Sequence, residues 1–140
     1  MAIKFVKGKT RLREFTRTAS VTFTKNSLCI LTSGLVATAL NNTTTTVLGI
    51  VVEDVASTDS DFATAAVPIK VELPADANCV VEADVANGSL LTTSIGVKFG
   101  LTSAGAVDFA DTTDVVLTCV GFISASKGLF QLDESALFSA

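Results

Sequence analysis

VPIKVELP, residues 67–74, alternates without a break: Val67, Ile69, Val71 and Leu73 fall on one face of an extended chain, and Pro68, Lys70 and Glu72 on the other. Period-two alternation predicts a strand with one dry and one wet face. Pro68 has no N–H to give to a ladder, which favours an edge position. The reading extends outward from here. In ASVTFTK (19–25), Val21 and Phe23 alternate with Thr22 and Thr24, and in SIGVKFGL (94–101), Ile95, Val97, Phe99 and Leu101 alternate with Gly96, Lys98 and Gly100. TTVLGIVVEDV (45–55) and DVVLTCVGFIS (114–124) are instead apolar on both faces, which predicts central strands covered on both sides. Gly49 and Gly121, one in each, mark a bulge or a close backbone approach.

Polar turns separate these runs: ALNNTTTT (39–46), STDSDFAT (57–64), PADAN (74–78) and the Asn87-Gly88 hairpin signal. Only LDESALFSA (132–140) has a helical pattern, with Asp133 as its N-cap. The fold class is therefore all-β, a compact β-sandwich or small barrel. An internal echo runs through it. NSLCILTSG (26–34) resembles GSLLTTSIG (88–96), and VLGIVVEDV (47–55) resembles CVGFISASK (119–127) in pattern. A duplication with a longer second copy and a chance likeness between two hairpins both account for it.

Charge is distributed unevenly. Lys4, Lys7, Lys9, Arg11, Arg13, Arg17 and Lys25 are seven of the chain's ten basic residues, and Glu14 is the only acid before residue 26. Residues 1–25 thus carry +6 and the remainder −10. The asymmetry reads as a basic arm on an acidic body, with residues 1–17 an extended arm and 18–140 the β-rich domain. At 140 residues one domain can bury about two thirds of its unfolded surface. A hydrophobic content of 49% with few charges points to apolar surface buried against other subunits.

The catalytic inventory is thin. The chain has no His, Tyr or Trp, so the commonest general base and metal ligand is missing. Cys29, Cys79 and Cys119 have no CxxC spacing and read as small buried apolar residues, reduced in the cytoplasm of the cell that makes the protein. No dinucleotide or phosphate-loop motif occurs. Glu53, Asp54, Asp59 and Asp61, and separately Asp108, Asp111 and Asp114, are loop acids of the kind that bind Ca²⁺, but neither set follows a known calcium-loop pattern. The expectation is no catalytic residue, no cofactor and no metal site. The basic arm has three candidate partners: nucleic acid, a membrane surface or an acidic protein. An acidic body disfavours nucleic acid, and the lack of helical apolar spacing disfavours a membrane. Ile3 and Phe5 on one side of IKFVKGK, with Lys4 on the other, suit a strand added to another protein's sheet.

Taken together, these features resemble the bacteriophage capsid decoration, or cement, proteins. The resemblance spans TRTASVTF to KGLFQL and rests on a small, Ala/Thr/Val/Gly-rich chain without catalytic residues, with strands like VLGIVVEDV following a polar loop. It implies a head-stabilising protein on the outer capsid surface of the virion. Such a protein is usually trimeric, with the major capsid protein as partner and an N-terminal arm that orders along the shell. Carried onto this chain, Ile3, Phe5 and Val6 become apolar anchors, and Lys4, Lys7, Lys9, Arg11 and Arg13 the residues that meet acidic partners. The alternative is a phage tail or baseplate β module that binds a host surface ligand.

Overall fold

The structure, a computed structural model, describes residues 3–39, 47–75, 79–102 and 106–132. The Asn/Thr loop, most of the 74–78 turn and the C-terminal helical pattern of the sequence reading lie outside these residues. The described chain is all-β, apart from one 3-10 turn at Thr92–Ser94. The strands are β1 (Lys4–Lys7), β2 (Thr10–Thr16), β3 (Ser27–Thr32), β4 (Leu35–Thr38), β5 (Val47–Val51), β6 (Pro68–Pro74), β7 (Val80–Ala86), β8 (Lys98–Leu101), β9 (Val107–Asp108), β10 (Leu117–Ser124) and β11 (Lys127–Leu132).

Two sheets result, and they share one plan. The first runs β2-β6-β5-β3-β4. It curls until the end of β2 meets β4, through a parallel Arg17–Val36 bridge and a 2.9 Å hydrogen bond from the Thr18 N–H to the Val36 carbonyl. The second runs β7-β11-β10-β8-β9 and closes fully, because β9 also pairs in parallel with β7. The registers correspond as well as the order. Arg13 opposite Val71 becomes Val81 opposite Phe130, and Cys29 opposite Gly49 becomes Phe99 opposite Leu117. Val51 opposite Val71 becomes Cys119 opposite Phe130, and Leu31 opposite Val36 becomes Leu101 opposite Val107. Even a loop contact recurs: Arg17 N–H to the Val67 carbonyl at 3.0 Å matches Val85 N–H to the Ser126 carbonyl at 2.9 Å. We call these units barrel one and barrel two.

The repeat is real in topology, but the sequence echo located it incorrectly. Gly49 corresponds to Leu117, not Gly121, and β3 corresponds to β8, whereas residues 88–96 form the loop and 3-10 turn before it. The copies share burial at matched positions but not side-chain size: buried Cys29 corresponds to Phe99, Gly49 to Leu117 and Val71 to Phe130.

The cores explain the hydrophobic patterns. Phe23, Cys29, Val36, Leu48, Val51, Ile69, Val71 and Leu73 fill barrel one. Leu28, Val47 and Ile50, on the opposite face of the same strands, join Val81, Phe99, Leu117 and Phe130 of barrel two in a second buried cluster. This is why β5 is buried at every position, as its unbroken apolar run predicts. Gly49 is needed there because an added Cβ would strike the Glu72 carbonyl oxygen of β6. Gly121 sits at a break in the β10–β11 register, as a strand glycine at a bulge does.

Four expectations are corrected. First, β6 is a central strand, between β2 and β5, and Pro68 is accommodated because it is the first residue of the strand. Second, β10 is not covered on both faces along its length: Leu117 and Cys119 are buried, but Val120, Phe122 and Ile123 are exposed. Third, Asn87 has positive φ, yet β7 and β8 do not pair, so Asn87-Gly88 turns the chain into a loop and not a hairpin. Fourth, residues 1–17 are not an extended arm outside the domain among the residues described. β1 pairs antiparallel with β7 of barrel two, and β2 pairs along its whole length with β6 of barrel one. The physical reason is that Ile3 and Phe5 carry enough apolar surface to be drawn into the core. Lys4 between them, and Lys7, Arg11 and Arg13 beyond, are exposed on edge strands, where Lys and Arg are common.

Candidate interaction surface

The eight residues expected to grip a partner divide into two groups. Ile3 is 3% exposed within the barrel-two cluster, its N–H held by the Asn26 carbonyl at 2.9 Å, and Phe5 packs against the same cluster. Both serve this chain's own core. Val6, Lys4, Lys7, Lys9, Arg11 and Arg13 are exposed. Lys4 lies 3.9 Å from Glu82, which also holds Lys127 at 3.4 Å, so this corner of β1 is fixed by a small charge network on β7 and β11. Gly8, at φ +91°, turns the chain from barrel two to barrel one so close to Cys79 that a Cβ would meet its Sγ and Cα.

Arg17 was counted in the arm but is buried, at 5% exposure, where β2 meets β4. Its Nη2 donates to the Asp61 backbone carbonyl at 2.9 Å and lies 3.3 Å from the Asp61 carboxylate, whereas its Nε has no partner. Only its place at the apolar end of an alternating run, two residues beyond Phe15, hinted at this in the sequence.

An uncovered apolar surface lies on barrel two. Val6, Val80, Val120 and Leu129, with Lys7 and Gln131, line an open groove of about 650 Å³ across β1, β7, β11 and β10. Phe122 and Ile123 continue the exposed apolar character along β10. A second exposed group, Leu91, Ile95 and Val97, lies on the loop around the 3-10 turn. Sequence reading missed the groove because it assigned the 114–124 side chains to the interior.

The acidic loops are occupied with their own backbone. Asp54 accepts from the Lys25 N–H and Asp59 from the Ala56 N–H. Asp108 accepts from the Ala110 N–H and Asn87 Nδ2, and Asp111 from the N–H groups of Thr113 and Asp114. The bonds from Asp108 to Ala110 and from Asp111 to Thr113 are Asx turns. Lys70 of β6 and Lys98 of β8 are exposed. All three cysteines are free and buried. Burial pushes the Cys29 thiol up to about 12, and desolvation also raises Cys119.

No protein-family model matches the chain, and a search of curated proteins finds no match. The functional reading therefore rests on the surfaces just described and on the sequence.

Proposed function

We propose that this chain is a structural protein of a bacteriophage head, a decoration protein that seats on the outside of the capsid and braces neighbouring shell subunits. The observation that carries the reading is the uncovered apolar groove of barrel two. Val6 and Val120 are each more than a third exposed, beside the half-buried Val80 and Leu129, with Lys7 at the margin. A chain with so few charges has little reason to leave such a face wet unless a partner covers it. The texture of the sequence and its resemblance to cement proteins support the same role.

The mechanism is mechanical. Each copy adds a modest binding free energy to a junction between shell subunits, and many copies together oppose opening of the shell. The grip comes from folded faces, not from a free arm. Three copies around a shell axis is the arrangement the resemblance suggests.

The test is cosedimentation with undecorated particles. Saturable binding is expected, with added density on the outer surface and a solution mass three times the 14.4 kDa chain. Val120→Glu combined with Val6→Ser places polar groups on the groove and is expected to abolish particle binding while moving the melting temperature by no more than a few degrees. Binding to host cells with none to particles would favour the tail or baseplate module instead.

A further inference from the structure

Among the described residues, barrel two holds a strand that barrel one lacks. The outer edge of β7 is shared between two partners: β9 pairs with its C-terminal end, Val85 and Ala86, and β1 with its N-terminal half. There Lys4 lies opposite Glu82, Phe5 opposite Val81 and Lys7 opposite Val80. The counterpart of β7 in barrel one is β2. Its C-terminal end meets β4 at the Arg17–Val36 bridge, the equivalent of Val85–Val107. Among the described residues, nothing pairs with the outer edge before that bridge.

The backbone there is set for a partner. The Lys9 carbonyl and the Arg17 N–H both face β6 and its flanks. Alternation along the strand therefore turns the N–H and C=O groups of Leu12 and Glu14 to the vacant side. By the shared register, Leu12, Arg13 and Glu14 correspond to Val80, Val81 and Glu82, the three residues that hold β1. Leu12 is 63% exposed, and Leu12, Arg13, Glu14 and Lys70 line a shallow depression of about 280 Å³.

We propose that this vacancy receives one extended strand of another protein, antiparallel to β2 and acidic on the side it shares with Arg11 and Arg13. The chemistry follows from what replaced the apolar positions of barrel two. Where Phe5 faces Val81, the incoming residue faces Arg13, which is exposed and stacked over the Phe15 ring at 5.4 Å. Two residues further along, the incoming residue faces Arg11. Glu14 keeps the role of Glu82, which holds Lys4, so a cation belongs opposite it. The favoured pattern is a basic residue, then an acidic one, a neutral one and a second acid. A second copy of β1 does not fit: it would place Phe5 against Arg13 and add two lysines to an edge already flanked by Lys9, Arg11 and Lys70. The inference deepens the shell-binding reading and rests on it only for the owner of the strand.

The test uses the full chain and a synthetic peptide, TKEVEVT, with its charge-reversed partner TEKVKVT. Amide exchange measured by NMR is expected to be fast at Leu12 and Glu14 and slow at Val80 and Glu82. The acidic peptide should slow the first pair at least tenfold and leave the second unchanged. The reversed peptide should bind at least tenfold more weakly, and Arg11→Glu with Arg13→Glu should invert that preference. Leu12→Pro removes an N–H that faces away from β6. It should lose peptide binding with a melting temperature within a few degrees of the parent. No protection at millimolar peptide, equal binding of both peptides, or full binding by Leu12→Pro overturns the proposal. If the peptide fails while particles still bind, the strand site is wrong and the shell reading stands. If the peptide binds while particles do not, the reverse holds.

Discussion

Cys29 is fully buried between Gly49 of β5 and Thr38 of β4, and its thiol is held protonated far above the ordinary range. The unfolded chain releases that proton near pH 9, while the folded chain keeps it to about 12. Stability from this group is thus complete below pH 9 and falls as pH rises from 9 towards 12, because over that window the unfolded state binds fewer protons. Each pH unit costs about 1.4 kcal/mol at most. Denaturant midpoints measured from pH 8 to 11 should decline, and Cys29→Ala should flatten the decline while lowering stability at pH 7 by roughly 1–2 kcal/mol. An alkaline slope unchanged in the variant would remove Cys29 as its cause. The same burial predicts that native thiol labelling of Cys29 and Cys119 is slow until denaturant is added. At Arg17 the expectation is different. Asp61→Ala leaves a nearly buried guanidinium without its carboxylate, though still bonded to the backbone carbonyl of residue 61. A loss of about 1–3 kcal/mol is expected by denaturant titration, and a loss near zero would show that the carbonyl alone suffices.

β1 is the element on which sequence and structure part. Read as a free arm, it can be deleted without effect on the melt. Read as a strand on β7, it closes half of that strand's outer edge and places Ile3 in the core. Ile3→Ala is expected to cost about 2–4 kcal/mol and to lower the melting temperature by several degrees. An unchanged melt would restore the arm. Much of the β content was legible, because VPIKVELP and the run at 45–55 carry period and composition that allow little else. Central versus edge position was not, since Pro68 is tolerated at a strand's first residue as readily as at an edge. Nor was the exposure of Val120, Phe122 and Ile123 legible, because an apolar run looks the same whether a neighbouring sheet or a partner covers it. The candidate grip was half legible. The charges of Lys7, Arg11 and Arg13 were found as surface features, but alternation of Ile3 and Phe5 shows only that one face is dry, not whose core makes it so.

At the scale of the molecule, the question is whether two barrels with one plan behave as two bodies. Their cores are not separate. Leu28, Val47 and Ile50 leave barrel one by the outer face of β3 and β5 and lie in the same buried cluster as Val81, Phe99 and Phe130. The Gly8 turn joins β1 on one barrel directly to β2 on the other. Neither barrel can lose this contact without exposing buried apolar surface, so each should stabilise the other. Calorimetry is expected to show one transition, with the calorimetric and van't Hoff enthalpies equal. Ile50→Ala, which removes about 2–5 kcal/mol of packing from the face between the barrels, should lower that single transition by roughly 5–15 °C. If the coupling is weak, the variant should instead split the trace into two. Two transitions in the parent protein would mean that the β5 outer face contributes little. Such a hinge would also weaken a bracing role, because a copy that bends between its barrels transmits less force between the subunits it joins.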